Sequence, residues 1–163
     1  MAVSAVPHSL GLSHPFKTIV TAGFIAGLLD GLDAAVVIAG MNHIPASRVF
    51  QFIASGVLGV KSFHGGGATA ALGVLLHFTI ALGAAATFYV LSMKVPMLLR
   101  RPLVWGPVYG ICVFCFMRYL IVPLSATPRQ PPASAVAIAN LLFSHVFFVG
   151  TPIAIVTSRS ARR

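Results

Sequence analysis

Four stretches of this chain are each long and apolar enough to cross a bilayer, at about 18–41, 69–93, 103–124 and 133–157. Inside hydrocarbon no water can satisfy backbone N–H and C=O groups, so a spanning segment must be a helix or part of a closed barrel. Runs of about 20 continuous apolar residues lack the alternation of barrel strands and read as helices. The expected fold class is therefore all-α: one transmembrane domain over 1–163, built on four transmembrane helices. Composition agrees, because only 8% of residues are charged and 58% are hydrophobic, against about 25% charged in soluble domains. Pro96, Pro102, Pro128, Pro131 and Pro132 fall in the connections, where helix breakers belong. Pro107, Pro123 and Pro152 lie near span ends.

Basic residues give the expected orientation. Lys17, Lys94, Arg100, Arg101, Arg159, Arg162 and Arg163 flank one side, and Arg48, Lys61 and Arg129 flank the other. The richer side is expected to be cytoplasmic, with both termini there and the connection 42–68 outside. No basic residue precedes Lys17, and the first apolar run is too long for a signal-peptide core, so an uncleaved first span is expected. The net charge of +9 is thus topological. Without aromatic residues interleaved among the basic ones it does not predict nucleic-acid binding. The partner it predicts is the lipid bilayer, where the last arginines could touch anionic headgroups.

The connection after the first run is unusual. In PASRVFQFIASGVLGVKSFHGGG the apolar residues Val49, Phe50, Ile53, Val57, Leu58 and Val60 recur at helical spacing. A helix over about 46–60 is too short to span, so an interfacial or re-entrant helix is expected, followed by a Gly65–Gly66–Gly67 hinge. Small residues also form rows. Gly23, Gly27, Gly31, Ala35 and Ala39 repeat along one run, and Gly106 and Gly110 along another. Such rows let helix backbones approach closely in lipid, either within the chain or in a homo-oligomer.

The acidic residues number two, Asp30 and Asp33, and both lie in the middle of the first run. A carboxylate there costs about 2.5 kcal/mol and upward. Three residues apart, the two share one helical face. His77, Arg118, Asn140 and His145 fall at compatible depths in the other three runs. His77 lies on a row with Gly73, Ala81 and Ala85, and Arg118 on a row with Gly106, Gly110 and Phe114, so both are expected to face inward. One reading is an ion-pair brace, with Arg118 neutralising one aspartate and the histidines and Asn140 satisfying the other. A second starts from the surplus carboxylate: two side by side do not both ionise cheaply, which suits a proton or a cation. A third is a divalent metal on Asp30, Asp33, His77 and His145, which the nearby arginine opposes.

The remaining polar residues are less specific. Cys112 and Cys115 share a face of an apolar helix and read as inert thiols. His8, His14, His43 and His64 flank the runs as interfacial histidines, with His64 placed to guard a path inward. Trp105 and Tyr109 read as interface anchors, and Tyr89 and Tyr119 do the same or reach the polar cluster. Nucleotide loops, nucleophile elbows and zincin motifs are missing from the sequence. Any enzymatic chemistry would have to use the intramembrane groups on a lipid or quinone; no cofactor is implied.

The second half carries ALGVLLHFTIALGAAATFYV, a basic loop, WGPVYG, MRYLIVPLSATP and SHVFFVGTPIAI before a basic tail. Over roughly residues 70–160 this distantly resembles the YagU-like small bacterial inner-membrane proteins. His77, Gly110, Pro123 and His145 stand in the matching places. The first span departs from that group, which does not show the Asp-x-x-Asp pair. The resemblance implies four spans in a bacterial inner membrane and supplies no activity. The combined expectation is a multi-pass inner-membrane protein with an Asp/His/Arg cluster that handles protons or cations. The alternative is a structural or partner-binding subunit in which the cluster is a brace.

Overall fold

The computed structural model describes residues 14–41 and 43–162, so His8 and Arg163 lie outside the described residues. The chain is an all-α, four-span protein, with no strand among the described residues. The spans are Pro15–Met41, Gly66–Lys94, Pro102–Leu124 and Ala135–Ser160. Proline opens the first and third, where its missing N–H removes no helical hydrogen bond. Ser134 opens the fourth, its hydroxyl accepting from the Ala137 N–H at 3.2 Å. Pro96 ends the second by pushing Val95 out of helical conformation, at φ −127° and ψ 80°.

Sequential spans run antiparallel and meet through their small residues. A Cβ on Gly23 would lie 2.8 Å from Leu82 Cα, and one on Gly27 would lie 2.8 Å from Phe78 Cδ1. On the third span, Gly106 meets Thr151 and Ala154, and Gly110 meets the backbone of His145 and Val146. The glycines of both rows therefore pack against other helices of the same chain. Of the two expectations for these rows, packing within the chain is the one seen in the single chain. The first and fourth spans also run antiparallel, tied near one end where the Thr18 and Ser160 hydroxyls lie 2.5 Å apart.

The core is small inside and large outside, the reverse of a soluble bundle. Ala22, Ala26, Ala85 and Ala154 pack with Phe88 and Ile153 at its centre. Val36, Leu75, Met93, Leu124 and Phe147 point outward, which in lipid carries no penalty. Tyr109 does not anchor at an interface as its position suggested. Its hydroxyl donates to the Ala84 carbonyl at 2.7 Å and its ring meets Phe88 edge-on, joining the second and third spans.

Between the first two spans, Ala46–Leu58 forms an α-helix, and Gly59–His64 continues it as a 3-10 turn. Gly59, at φ +59°, makes the break a side chain would resist. This connector helix is embedded rather than lying free. The Phe50 carbonyl occupies the space a Gly73 side chain would need. Gln51, buried, donates to the Gly66 carbonyl at 2.9 Å, and the Ala126 N–H donates to the Gly56 carbonyl at 3.0 Å. The connector thus crosses one end of the bundle, from the start of the second span to the end of the third.

Three spans widen locally into π-helix: Ala34–Ile38, Met117–Ile121 and His145–Gly150. Wide turns of this kind are uncommon and concentrate at functional sites. Here each coincides with a polar intramembrane residue: the first directly follows Asp33, the second contains Arg118 and the third starts at His145.

Candidate functional site

The antiparallel register of the first and fourth spans decides what Asp30 and Asp33 touch. Ser144 Oγ donates to Asp30 Oδ1 at 2.6 Å. One turn away, Asn140 Nδ2 donates to Asp33 Oδ2 at 3.2 Å. The i, i+3 step of the aspartates is answered by an i, i+4 step on the opposing helix. Each carboxylate therefore receives a neutral donor from the fourth span.

The second span contributes His77, which is buried. Its Nε2 lies 2.8 Å from the Gly27 carbonyl oxygen. A carbonyl only accepts, so Nε2 carries a hydrogen and donates. This approach is open because Gly31 has no side chain: a Cβ there would stand 3.2 Å from Nε2. With Nε2 committed, the other nitrogen faces the carboxylate, Nδ1 lying 4.0 Å from Asp30 Oδ2. The separation exceeds a direct hydrogen bond, and a single water or a small rotation spans it. Asp30 keeps 19% of its side-chain surface exposed against 11% for His77, so the carboxylate is the more accessible member. Phe50 of the connector and Phe78 close the imidazole in, both meeting it edge-on.

Arg118 and His145 behave differently from expectation. Arg118 is half-buried in the π-helical part of the third span, and among the described residues it makes no ion pair with either aspartate. The counter-charge read from depth alone is not in contact, because the third span packs on the fourth while the aspartates lie between the first, second and fourth. His145 follows Ser144, so it projects about 100° around the helix. Its Nδ1 pairs with the Leu141 carbonyl at 2.9 Å and its ring packs edge-on against Phe114 of the third span. Asp30 and His77 come together, Asp33 and Asn140 come together, and Arg118 and His145 stand apart from both pairs.

The metal reading fares accordingly. Among the described residues no group of three or more His, Cys, Asp or Glu side chains is placed to hold a metal ion. Asp33 is directed to Asn140 and His145 to its own helix, so the four expected donors do not converge. Cys112 and Cys115 are free and exposed on the third span. His43 and His64 are exposed at the connector end of the bundle.

Ser144 and the Gly27 carbonyl are the site groups that reading the residues in sequence missed. The signal for Ser144 was present: it lies four residues after Asn140, on the same face. Ser144→Ala is expected to lower stability by about 1 kcal/mol, the size of an interhelical hydrogen bond in a membrane protein. Equilibrium unfolding in mixed micelles measures this, and an unchanged midpoint would show that Asp30 finds another donor.

Four apolar spans with polar side chains meeting between them define a multi-pass helical membrane protein. No family model, curated protein or solved structure matches this chain.

Proposed function

We propose that this protein handles protons or small cations within the membrane, with Asp30 and His77 as the proton-holding pair. The observation that carries this reading is the commitment of His77 Nε2 to the Gly27 carbonyl, which leaves Nδ1 turned to Asp30 Oδ2 at 4.0 Å. Asp33, held by the Asn140 amide, is the second carboxylate and the ligand for a proton or cation passing to or from Asp30. Arg118 sets the electrostatic background from the third span rather than neutralising a carboxylate by contact. The basic residues support an inner-membrane protein with both termini cytoplasmic, which would put the connector helix on the outer face. The resemblance of the second half to the YagU-like proteins points to the same membrane.

A structural reading also has a specific observation behind it. Both carboxylates take a hydrogen bond from the fourth span, which is what a brace between the first and fourth helices requires.

Purified protein in liposomes separates the two. Wild type, Asp30→Asn and Asp33→Asn would be compared for dye-reported proton flux under an imposed potential, and for unfolding midpoint. Asparagine keeps an oxygen to accept from Ser144 or Asn140, so each variant should hold stability within about 1 kcal/mol of wild type. Asp30→Asn should lose flux by about tenfold or more, since it removes the proton-holding carboxyl. Wild type without flux, together with a large stability loss in both variants, favours the brace.

A further inference from the structure

The connector end of the bundle holds a second polar feature that the aspartate site does not use. An open groove of about 420 Å³ lies there, with Arg48 and Gln130 on its wall beside Ile38, Val49, Phe52 and Phe63. Arg48 is held in place by one nitrogen. Its Nη1 donates to the Phe63 carbonyl at 2.9 Å and to Gln51 Oε1 at 3.3 Å, and the guanidinium stands 4.9 Å over the Phe63 ring. These bonds account for the Nη1 hydrogens. Among the described residues nothing pairs with the Nε and Nη2 edge, the fork that takes an oxyanion through two parallel hydrogen bonds.

The chain cannot supply that anion itself. Its two acidic residues are Asp30 and Asp33, and these are engaged by Ser144 and Asn140 of the fourth span. Among the described residues Arg48 therefore sits oriented and without a counter-charge in a groove whose other lining is apolar apart from Gln130. The groove opens where the first span ends and the second begins, the level at which a spanning bundle meets lipid headgroups. Its volume falls in the usual range for a small-molecule site, about 300–1,000 Å³.

We infer that this groove binds an anionic phospholipid of the surrounding bilayer, its phosphate on the free edge of Arg48 and its glycerol and first methylenes along Ile38, Val49 and Phe52. The apolar wall favours a lipid over a soluble anion, because inorganic phosphate gains nothing from it. The inference is independent of proton handling at Asp30, which lies in another part of the bundle.

Fluorescence quenching tests it. Protein carrying Trp105→Phe and Phe52→Trp has its single indole in the groove. It would be titrated with phosphatidylglycerol or phosphatidylcholine bearing brominated chains, in mixed micelles. Phosphatidylglycerol should quench at about tenfold lower mole fraction, the preference a charge-assisted bidentate contact provides. Arg48→Gln in the same background should erase the preference, and Arg48→Lys should keep part of it. Inorganic phosphate at millimolar concentration should leave the quenching unchanged. Equal quenching by the two lipids in the Arg48 protein overturns the proposal, even where Arg48→Gln does not fold. A preference that survives Arg48→Gln overturns it too, and displacement of the lipid by inorganic phosphate points instead to a soluble-anion site.

Discussion

Gly110→Ala is expected to destabilise the bundle by about 3 kcal/mol or more, at the upper end of what overpacking costs. The added methyl would collide with the His145 carbonyl and stand 2.7 Å from Val146 Cα. Both are backbone atoms, so no rotamer change relieves the contact, and the third and fourth spans must move apart. Separation would also disturb the π-helical turn at His145–Gly150 and the ring contact between His145 and Phe114. Gly83→Ala is the control. Nothing lies within 4 Å of a Cβ at Gly83, and the residue is exposed, so alanine there should leave the unfolding midpoint unchanged or raise it slightly. Unfolding of the two variants in mixed micelles against wild type gives the comparison. Equal stability of both would mean that the third and fourth spans are not in backbone contact.

The second large effect concerns the connector helix. Gly73→Val should detach Ala46–Leu58 from the second span, because the Phe50 carbonyl occupies the space the new side chain needs. Overpacking of this kind costs about 1–3 kcal/mol, and here the load falls on one short helix rather than on the bundle. The Gln51 bond to Gly66 and the Gly56 bond to Ala126 should loosen together. Backbone amide exchange over residues 46–58 should then rise by about tenfold or more while the spans stay protected. The same variant removes Phe50 from the edge of His77, so it opens the aspartate site without changing any polar group in it. Gly67→Ala, with nothing within 4 Å of its Cβ, should leave exchange as in wild type. Unaltered exchange in Gly73→Val would show that the connector is not seated on the second span.

The site was partly legible before any tertiary information. Asp30, Asp33, His77 and Asn140 stand out in the sequence because polar groups at matching depths in lipid are costly and must find one another. Depth, however, is one coordinate, and contact needs the angular coordinate too. Arg118 and His145 matched in depth and failed in angle: His145 is turned about 100° from Ser144, and the third span sits behind the fourth. Ser144 matches in both, yet serine carries no charge that sets it apart in an apolar run. The Gly27 carbonyl was invisible in principle, since every residue has one, and only packing shows which carbonyl a histidine reaches. The π-helical turns are equally non-local. They adjust helix phase where neighbouring helices demand it, and no residue type marks them in advance.

Sequence alone determined that this protein is a four-span helical membrane protein with two carboxylates placed in the apolar core of its first span. The reason is that hydrocarbon thickness and the absence of water act on each segment separately, so length and polarity suffice. Tertiary structure alone decided that Asp30 meets His77 and Ser144, that Asp33 turns to Asn140, and that Arg118 stays apart. It also decided that the glycines of both rows pack within the chain and that, among the described residues, Arg48 is held with one edge free. Those outcomes depend on helix phase and register, which are settled by close packing of small residues between spans and leave no mark on any single one of them.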